Sequence, residues 1–259
     1  MKTCKEMMNL QGRQVLITGG FGHIGRAIAE ALAEFGAELI LVDKKVDQDC
    51  TEQMGKRFNI AVKAIEMDIA DFATYETEFK GLKPIDVLIN CAAFVGSSDL
   101  DGWTSPVEAQ DLDTFLDATK VNSVAPFALT KYFLADLKKN KGSIINIASI
   151  YGFSGQRPDL YEGMDYTRPA AYAASKGGLI QLTRYLSTYL APDIRVNAIS
   201  PGGIYRNQCE SFVEKYVAQT PLKRMGTEED IKGAALFLAS ELSAYITGQN
   251  IIVDGGWSV

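Results

Sequence analysis

The chain has 259 residues, of which 47% are hydrophobic, and a formal net charge of −6. This length suits one α/β domain and is sufficient to bury a sizeable core. The acidic balance argues against nucleic acid or an anionic membrane as the main partner.

The four cysteines and the single histidine show no metal-binding spacing. Cys4, Cys50, Cys91 and Cys209 form no CxxC pair, so we expect reduced thiols and no metal site. The first segment, MKTCKEMMNLQGRQ, lacks the apolar core of a signal peptide, and no apolar run reaches the roughly 18 residues of a membrane span. A cytoplasmic protein without membrane partners is therefore expected.

Short apolar segments alternate with helical patterns along the chain. The predicted strands cover residues 14–18, 37–43, 61–68, 85–90, 142–149, 194–200 and 250–254. Apolar residues at i, i+3 and i+4 spacing within 24–32 and 179–186 predict helices. Continuous apolar strands that alternate with helices predict a doubly wound parallel sheet covered on both faces.

The first predicted strand runs into GGFGHIG, with glycines at positions 19, 22 and 25. Glycine permits a tight turn and lets backbone N–H groups approach a diphosphate, while a helix N-terminus adds free donors. A dinucleotide fingerprint requires this position in the first βα unit, and an ordinary turn is the alternative. His23 is expected to shape the loop rather than act as a base.

Asp43 ends the second predicted strand. A carboxylate there accepts hydrogen bonds from both hydroxyls of an adenosine ribose and repels a 2′-phosphate, which favours NAD over NADP. A solvated strand-end aspartate is the alternative, and Lys44 next to it weakens the preference. Asp68, which closes the third strand, is placed to contact adenine.

The segment YEGMDYTRPAAYAASK contains three tyrosines, and only Tyr172 is followed by a lysine four residues later. Free tyrosine, with a pKa of about 10, is a poor base near neutrality. A cation lowers that pKa, and Lys176 lies on the same helical face. Tyr161 has the carboxylate of Asp165 at that spacing instead. Tyr172 is therefore the predicted acid/base for interconverting a carbonyl and an alcohol, with a surface pair as the alternative.

Two further polar residues support this interpretation. Ser149 follows the fifth strand, at the sheet edge where such folds bind ligands, so its hydroxyl is placed to polarise a carbonyl. Asn122 lies in a predicted helix four residues before Pro126, which has no N–H to donate. The carbonyl of Asn122 is then free to hold a water beside Lys176, although a simple helix kink is the alternative.

Taken together, the motifs resemble the compact single-domain branch of the short-chain dehydrogenase/reductase family. TGGFGHIG, LINCAA, NIAS, YAASK, NAISPGGI and ITGQNIIVDGG occur in the family order over nearly the full length. The resemblance implies one Rossmann-like domain over 1–259 with about seven parallel strands. Residues 10–150 would mainly bind the cofactor, and 149–220 would mainly supply catalytic and substrate loops.

The resemblance also implies a catalytic tetrad of Asn122, Ser149, Tyr172 and Lys176. Tyr172 would be the acid/base and Ser149 would orient the carbonyl. Lys176 would lower the tyrosine pKa and bind the nicotinamide ribose, and Asn122 would anchor a proton-relay water. The implied cofactor contacts are Gly19, Phe21, Gly22, His23, Ile24, Asp43, Lys44, Asp68, Ile69, Asn90, Ala92, Tyr172, Lys176, Pro201, Gly202 and Ile204.

Within that set, Asn90 is expected near the adenosine ribose, and the backbone of Ile204 is expected to meet the nicotinamide carboxamide. Three features depart from the family pattern. His23 gives the loop the GxxGxxG spacing of the family's longer branch. NCAA replaces the usual NNAG, and Arg206 stands where a threonine often assists the carboxamide.

Two polar stretches, 156–169 and 205–220, are expected to line the substrate pocket, and the first is an insertion before the catalytic tyrosine. Their polarity favours a polyol, sugar or sugar derivative over a steroid or acyl chain, although exposed loops are polar in any case. A weaker resemblance to sugar-modifying members points the same way. The predicted substrate contacts are Tyr151, Tyr161, Glu162, Tyr166 and Arg206.

The leading hypothesis is an NAD-dependent dehydrogenase or reductase that acts on CH–OH groups in carbohydrate metabolism. One alternative is an epimerase or dehydratase that works by transient oxidation, which the glycine spacing suggests. Another is a non-catalytic NAD(H)-binding regulatory protein, against which the complete tetrad argues. The resemblance implies a homotetramer or homodimer, with helices around 112–139 and 172–190 and the C-terminal strand at the interfaces.

Overall fold

The computed structural model describes residues 1–95, 98–164 and 166–259, so the predicted role of Asp165 lies outside the described residues. The described residues build a seven-stranded sheet in the order β3-β2-β1-β4-β5-β6-β7, with every neighbouring pair parallel. The strands are β1 (Gln14–Thr18), β2 (Glu38–Asp43), β3 (Val62–Glu66), β4 (Val87–Asn90), β5 (Ser143–Ile147), β6 (Arg195–Pro201) and β7 (Asn250–Val253). The predicted parallel sheet is confirmed.

Helices connect the strands and cover both faces of the sheet. They are α1 (Cys4–Met8), α2 (His23–Glu34), α3 (Gln48–Phe58), α4 (Tyr75–Glu78), α5 (Leu112–Thr119), α6 (Ala125–Tyr132), α7 (Leu134–Lys139), α8 (Ala170–Tyr189), α9 (Glu210–Gln219) and α10 (Glu229–Ala239). None of the helices in the described ranges is long and apolar enough to cross a membrane.

Strand alternation divides the core into two layers. Val15 and Ile17 of β1 pack on one face with residues of α2 and α10, whereas Leu16 between them packs on the opposite face with residues of α6 and α8. Successive side chains of a strand point to opposite faces, so a strand that is apolar at every position is buried on both. The doubly wound arrangement follows from this pattern.

The strand order reverses beside β1, which pairs with β2 on one side and with β4 on the other. In open α/β sheets this reversal opens a crevice at the carboxyl ends of the strands. The glycine segment after β1, Asp43 at the end of β2 and the residues that follow β5 all meet at this edge.

Candidate active site

The turn between β1 and α2 is held close by its glycines. Gly19 has φ +67°, and a Cβ atom there would lie 2.8 Å from the Cα of Ala92. A Cβ atom on Gly25 would lie only 2.0 Å from the carbonyl oxygen of Gly19. α2 therefore starts tight against the loop with its first N–H groups toward the crevice. This cradle fits the diphosphate of a dinucleotide.

Asp43 lies beside this turn and accepts two backbone hydrogen bonds. The N–H of Phe21 donates to its Oδ2 at 3.1 Å, and the N–H of Lys44 donates to its Oδ1 at 2.8 Å. The ammonium of Lys44 pairs with the carboxylate of Asp68 at 2.9 Å. The carboxylate of Asp43 is thus fixed in place and keeps lone pairs for ribose hydroxyls. The positive charge of Lys44 is balanced by the carboxylate of Asp68.

One cavity of about 690 Å³ joins the glycine turn to the end of β5 and the start of α8. It brings together most of the predicted cofactor residues. Those that line it are Gly19, Gly22, His23, Ile24, Asp43, Lys44, Ile69, Ala92, Tyr172, Lys176, Pro201, Gly202 and Ile204.

Three predicted cofactor residues do not line the cavity. Asn90 is buried, and its Nδ2 donates to Oδ1 of Asn146 on the neighbouring strand β5 at 2.8 Å. Asp68 is engaged by Lys44 instead. Phe21 packs against the core below the turn, and only its N–H reaches Asp43. In this structure Asn90 bonds within the sheet, and Asp68 and Phe21 contact residues that face the cavity, so their contacts with a cofactor stay predictions.

Ser149, Tyr172 and Lys176 all line this same cavity. Ser149 caps a short 3₁₀ turn after β5, and its Oγ accepts from the N–H of Tyr151 at 3.2 Å. Tyr172 and Lys176 lie one turn apart in α8. Lys176 is buried, and its Nζ donates to the carbonyl of Ile147 at 2.7 Å. A hydroxyl, a phenol and an ammonium therefore converge at the carboxyl end of β5.

Burial, a hydroxyl and a cation act on the pKa of Tyr172 in this structure. Burial raises the pKa of Tyr172, while the Ser149 hydroxyl and the Arg168 guanidinium act in the opposite direction. Burial lowers the pKa of Lys176 to about 8, and its Nζ lies 5.9 Å from the centre of the Tyr172 ring. Arg168 is therefore a cation near Tyr172 that partly opposes the effect of burial on its pKa, and the role of Lys176 in lowering that pKa stays a prediction.

Asn122 lies in the predicted helix, but its turn is a π-turn, Lys120–Val124, between α5 and α6. Pro126, near the start of α6, has no N–H, so the α-helical hydrogen bond to the carbonyl of Asn122 cannot form. The buried side chain accepts from the N–H of Phe94 at 2.8 Å and donates to Ser175 Oγ at 3.0 Å. Asn122 does not line the cavity, and its side chain holds the loop after β4 against α8.

Four of the five predicted substrate residues, Tyr151, Tyr161, Tyr166 and Arg206, line the cavity. The hydroxyls of Tyr151 and Tyr161 lie 3.3 Å apart. Glu162 is exposed and does not line the cavity, and its carbonyl accepts from Lys215 Nζ at 2.8 Å. Glu162 follows the 3₁₀ turn that buries Tyr161, and its contact with a substrate stays a prediction.

Sequence reasoning predicted that the polar stretches 156–169 and 205–220 line the pocket, but it did not predict an apolar wall. Phe212 and Tyr216 of α9 line the cavity with Met225, and Trp257 stacks on Tyr216 from behind at 5.5 Å. The i, i+4 spacing of the first two was the available signal. Arg168 also lines the cavity, and its place four residues before Tyr172 was visible in the sequence.

Comparison with known proteins gives matches over almost the whole chain. A family model described as enoyl-(acyl carrier protein) reductase matches residues 22–258. The 3-oxoacyl-(acyl-carrier-protein) reductase FabG of Aquifex aeolicus is 32% identical over 96% of this chain and 98% of its own length.

Two solved structures share the fold. A short chain dehydrogenase from Leptospira borgpetersenii with bound NAD+ has a TM-score of 0.82 and 35% identity, covering 100% of this chain and 97% of its own. A gluconate 5-dehydrogenase from Burkholderia cenocepacia in complex with NADP and tartrate has a TM-score of 0.84 and 26% identity, covering 99% of both chains.

Proposed function

This chain belongs to the short-chain dehydrogenase/reductase family, and we propose that it is an NAD-dependent dehydrogenase or reductase acting on a small polar substrate. The substrate class is a sugar, polyol or sugar derivative. One observation carries the proposal: the glycine turn, Asp43 and the group Ser149, Tyr172 and Lys176 face a single cavity. That arrangement supports a dinucleotide site next to an acid/base pair.

The chain's own groups have complementary tasks in this proposal. A bound nicotinamide dinucleotide supplies hydride chemistry. The Tyr172 hydroxyl donates its proton to a substrate carbonyl oxygen during reduction and takes it back from the alcohol during oxidation. Ser149 hydrogen-bonds to the same oxygen. Lys176 holds the nicotinamide ribose, and the Asn122 carbonyl anchors a water that returns the proton to solvent.

Tyr172→Phe tests the catalytic assignment. Removal of the hydroxyl should lower kcat by about 10²–10⁴-fold, the usual contribution of general acid–base catalysis, and leave NADH affinity unchanged. Tyr245→Phe is the control for removal of a phenol hydroxyl, because Tyr245 is exposed and does not line the cavity. Normal turnover by Tyr172→Phe would refute the assignment.

The carboxylate of Asp43 supports NAD as the cofactor, since it lies at the cavity wall and repels a 2′-phosphate. Asp43→Ala should lower the NAD-to-NADP affinity ratio about tenfold, the equivalent of one charge-assisted hydrogen bond. Asp49→Ala, an exposed residue of α3, is the control for net charge. A ratio unchanged by Asp43→Ala would contradict this role.

The polar residues that line the substrate end, Tyr151, Tyr161 and Arg206, support a polar substrate, as does the relative named for gluconate. Two observations favour a second candidate, reduction of a 3-oxoacyl thioester. Phe212 and Met225 form an apolar wall of the cavity, and the chain is similar to a 3-oxoacyl-(acyl-carrier-protein) reductase. The two candidates are separated by measuring turnover of polyols, aldonates and an acetoacetyl thioester, each with NAD(H) and with NADP(H).

Exposed apolar side chains support an assembly of copies. On α5, Leu112 is 77% exposed and Leu116 is 65% exposed, and Tyr185 and Tyr189 of α8 stack on the surface with ring centres 5.9 Å apart. We propose that these helices pair between copies in a homotetramer or homodimer of a cytoplasmic enzyme. Light scattering of Leu112→Glu should show a smaller species than the unaltered protein.

A further inference from the structure

Arg168 is the last residue but one before α8 and lies at the substrate end of the cavity. Its guanidinium carbon is 5.3 Å from the ring centre of Tyr151 and 6.0 Å from that of Tyr161. Its Nε donates to the Tyr161 hydroxyl at 2.7 Å. Two aromatic rings and one hydrogen bond therefore fix the direction of the side chain.

The remaining donors of Arg168 are not used by the described residues. A guanidinium has five N–H donors, and within 1–95, 98–164 and 166–259 only the Nε makes a hydrogen bond. In the same ranges no carboxylate pairs with Arg168, whereas Arg206, the other arginine of the cavity, pairs with Glu228 at 3.2 Å. Among the residues that the structure describes, the groups in contact with Arg168 are thus the neutral rings and hydroxyl of Tyr151 and Tyr161.

Arg168 shares this cavity with Ser149 and Tyr172. A partly buried cation that pairs with no carboxylate of the described residues carries a desolvation cost there, which a bound anion relieves. The planar fork of an arginine matches the two oxygens of a carboxylate or phosphate.

We propose that Arg168 binds an anionic group of the substrate while Tyr172 and Ser149 act on a hydroxyl or carbonyl further along the same molecule. This rests on the proposed function and narrows it: the substrate is a hydroxy acid of the aldonate type or a phosphorylated polyol. A neutral polyol would leave the guanidinium unmatched.

The test separates binding from turnover. Titration calorimetry measures binding of gluconate, sorbitol 6-phosphate and neutral sorbitol to the chain, with and without NADH. The reduced cofactor is used because it cannot oxidise these alcohols during the titration. Gluconate or sorbitol 6-phosphate should bind at least about tenfold more tightly than sorbitol, since a hydrogen bond to a charged group contributes that much. The tighter of the two anions identifies the group.

Arg168→Gln should remove this preference, and Arg168→Lys should restore part of it as a point charge. Arg157→Gln is the matched control: Arg157 belongs to the same insertion but stacks on Trp257 at 4.5 Å, outside the cavity lining. Equal effects of the two glutamine variants, or no preference for anions in the unaltered chain, would overturn the proposal. Tyr172→Phe should lose turnover but still bind the anion. The binding measurement therefore tests Arg168 independently of the catalytic role of Tyr172.

Discussion

Gly25→Ala tests whether the glycine turn is a closely fitted cradle. In this structure the added Cβ atom would lie 2.0 Å from the carbonyl oxygen of Gly19, whereas ordinary contact begins near 3.4 Å. α2 and the turn must then separate by about 1 Å, because packed interiors have little free space. We expect the backbone N–H groups of the glycine turn and of the first turn of α2 to point no longer at one bound diphosphate.

The expected magnitude is a balance of two terms. Alanine is preferred to glycine in a helix by about 1 kcal/mol, whereas overpacking costs about 1–3 kcal/mol. Because the clash is with backbone, the overpacking cost lies in the upper part of that range, about 2–3 kcal/mol, and leaves a net loss of about 1–2 kcal/mol. For a chain of this size the Tm should fall by roughly 2–8 °C, and NADH affinity should fall about tenfold or more.

Differential scanning calorimetry and NADH fluorescence titration measure these effects. Gly233→Ala is the matched control, since Gly233 also lies in a helix but has nothing within 4 Å of the added Cβ. It should raise the Tm slightly by the helix preference alone and leave NADH affinity unchanged. If Gly25→Ala raised the Tm as Gly233→Ala does, or kept full NADH affinity, the close-packed cradle would be refuted.

Three more results are expected. Trp257→Ala should destabilise the protein by about 3–5 kcal/mol in urea unfolding, because it empties a fully buried site against Tyr216; an effect no larger than that of a surface substitution would contradict this. Burial lowers the pKa of Lys176 to about 8, so the unfolded chain binds more protons between pH 8 and about 10.4, and stability rises with pH in that window. Lys176→Met should lack that rise. Arg168→Met removes a cation that lowers the pKa of Tyr172, so the rising limb of the pH profile for alcohol oxidation should move to higher pH, and an unmoved limb would count against that influence.

The sheet could be predicted from the sequence because its strands are buried on both faces. All five residues of β1 and of β5 are buried, and such apolar runs have no competing interpretation between helical segments. The strand ends differ from the predicted ones by at most two residues. The glycine spacing and the Tyr172–Lys176 spacing also located the cavity. Each spacing lies within one turn or one helix, so the local secondary structure determines where the residues lie relative to each other.

Sequence spacing does not fix the direction of a side chain where that direction depends on distant residues. Asn90 ends β4 at the ligand edge, yet it bonds to Asn146, which is 56 positions later in the chain. Glu162 follows Tyr161 directly and lies outside the cavity lining, since the short turn buries only the tyrosine. Local spacing cannot decide such cases, because either direction satisfies the backbone pattern.

The insertion before Tyr172 explains why Arg168 acts as a separate recognition group. Pro169 caps α8 and holds the preceding residue in extended backbone, so the i, i+4 relation to Tyr172 does not place Arg168 on the helical face. Tyr161, from the same insertion, fixes it instead. The insertion therefore binds the anion while Tyr172 of α8 transfers the proton. A chain with a shorter insertion should lose the preference for anionic alcohols, and its pH profile should move to higher pH because Arg168 also acts to lower the pKa of Tyr172.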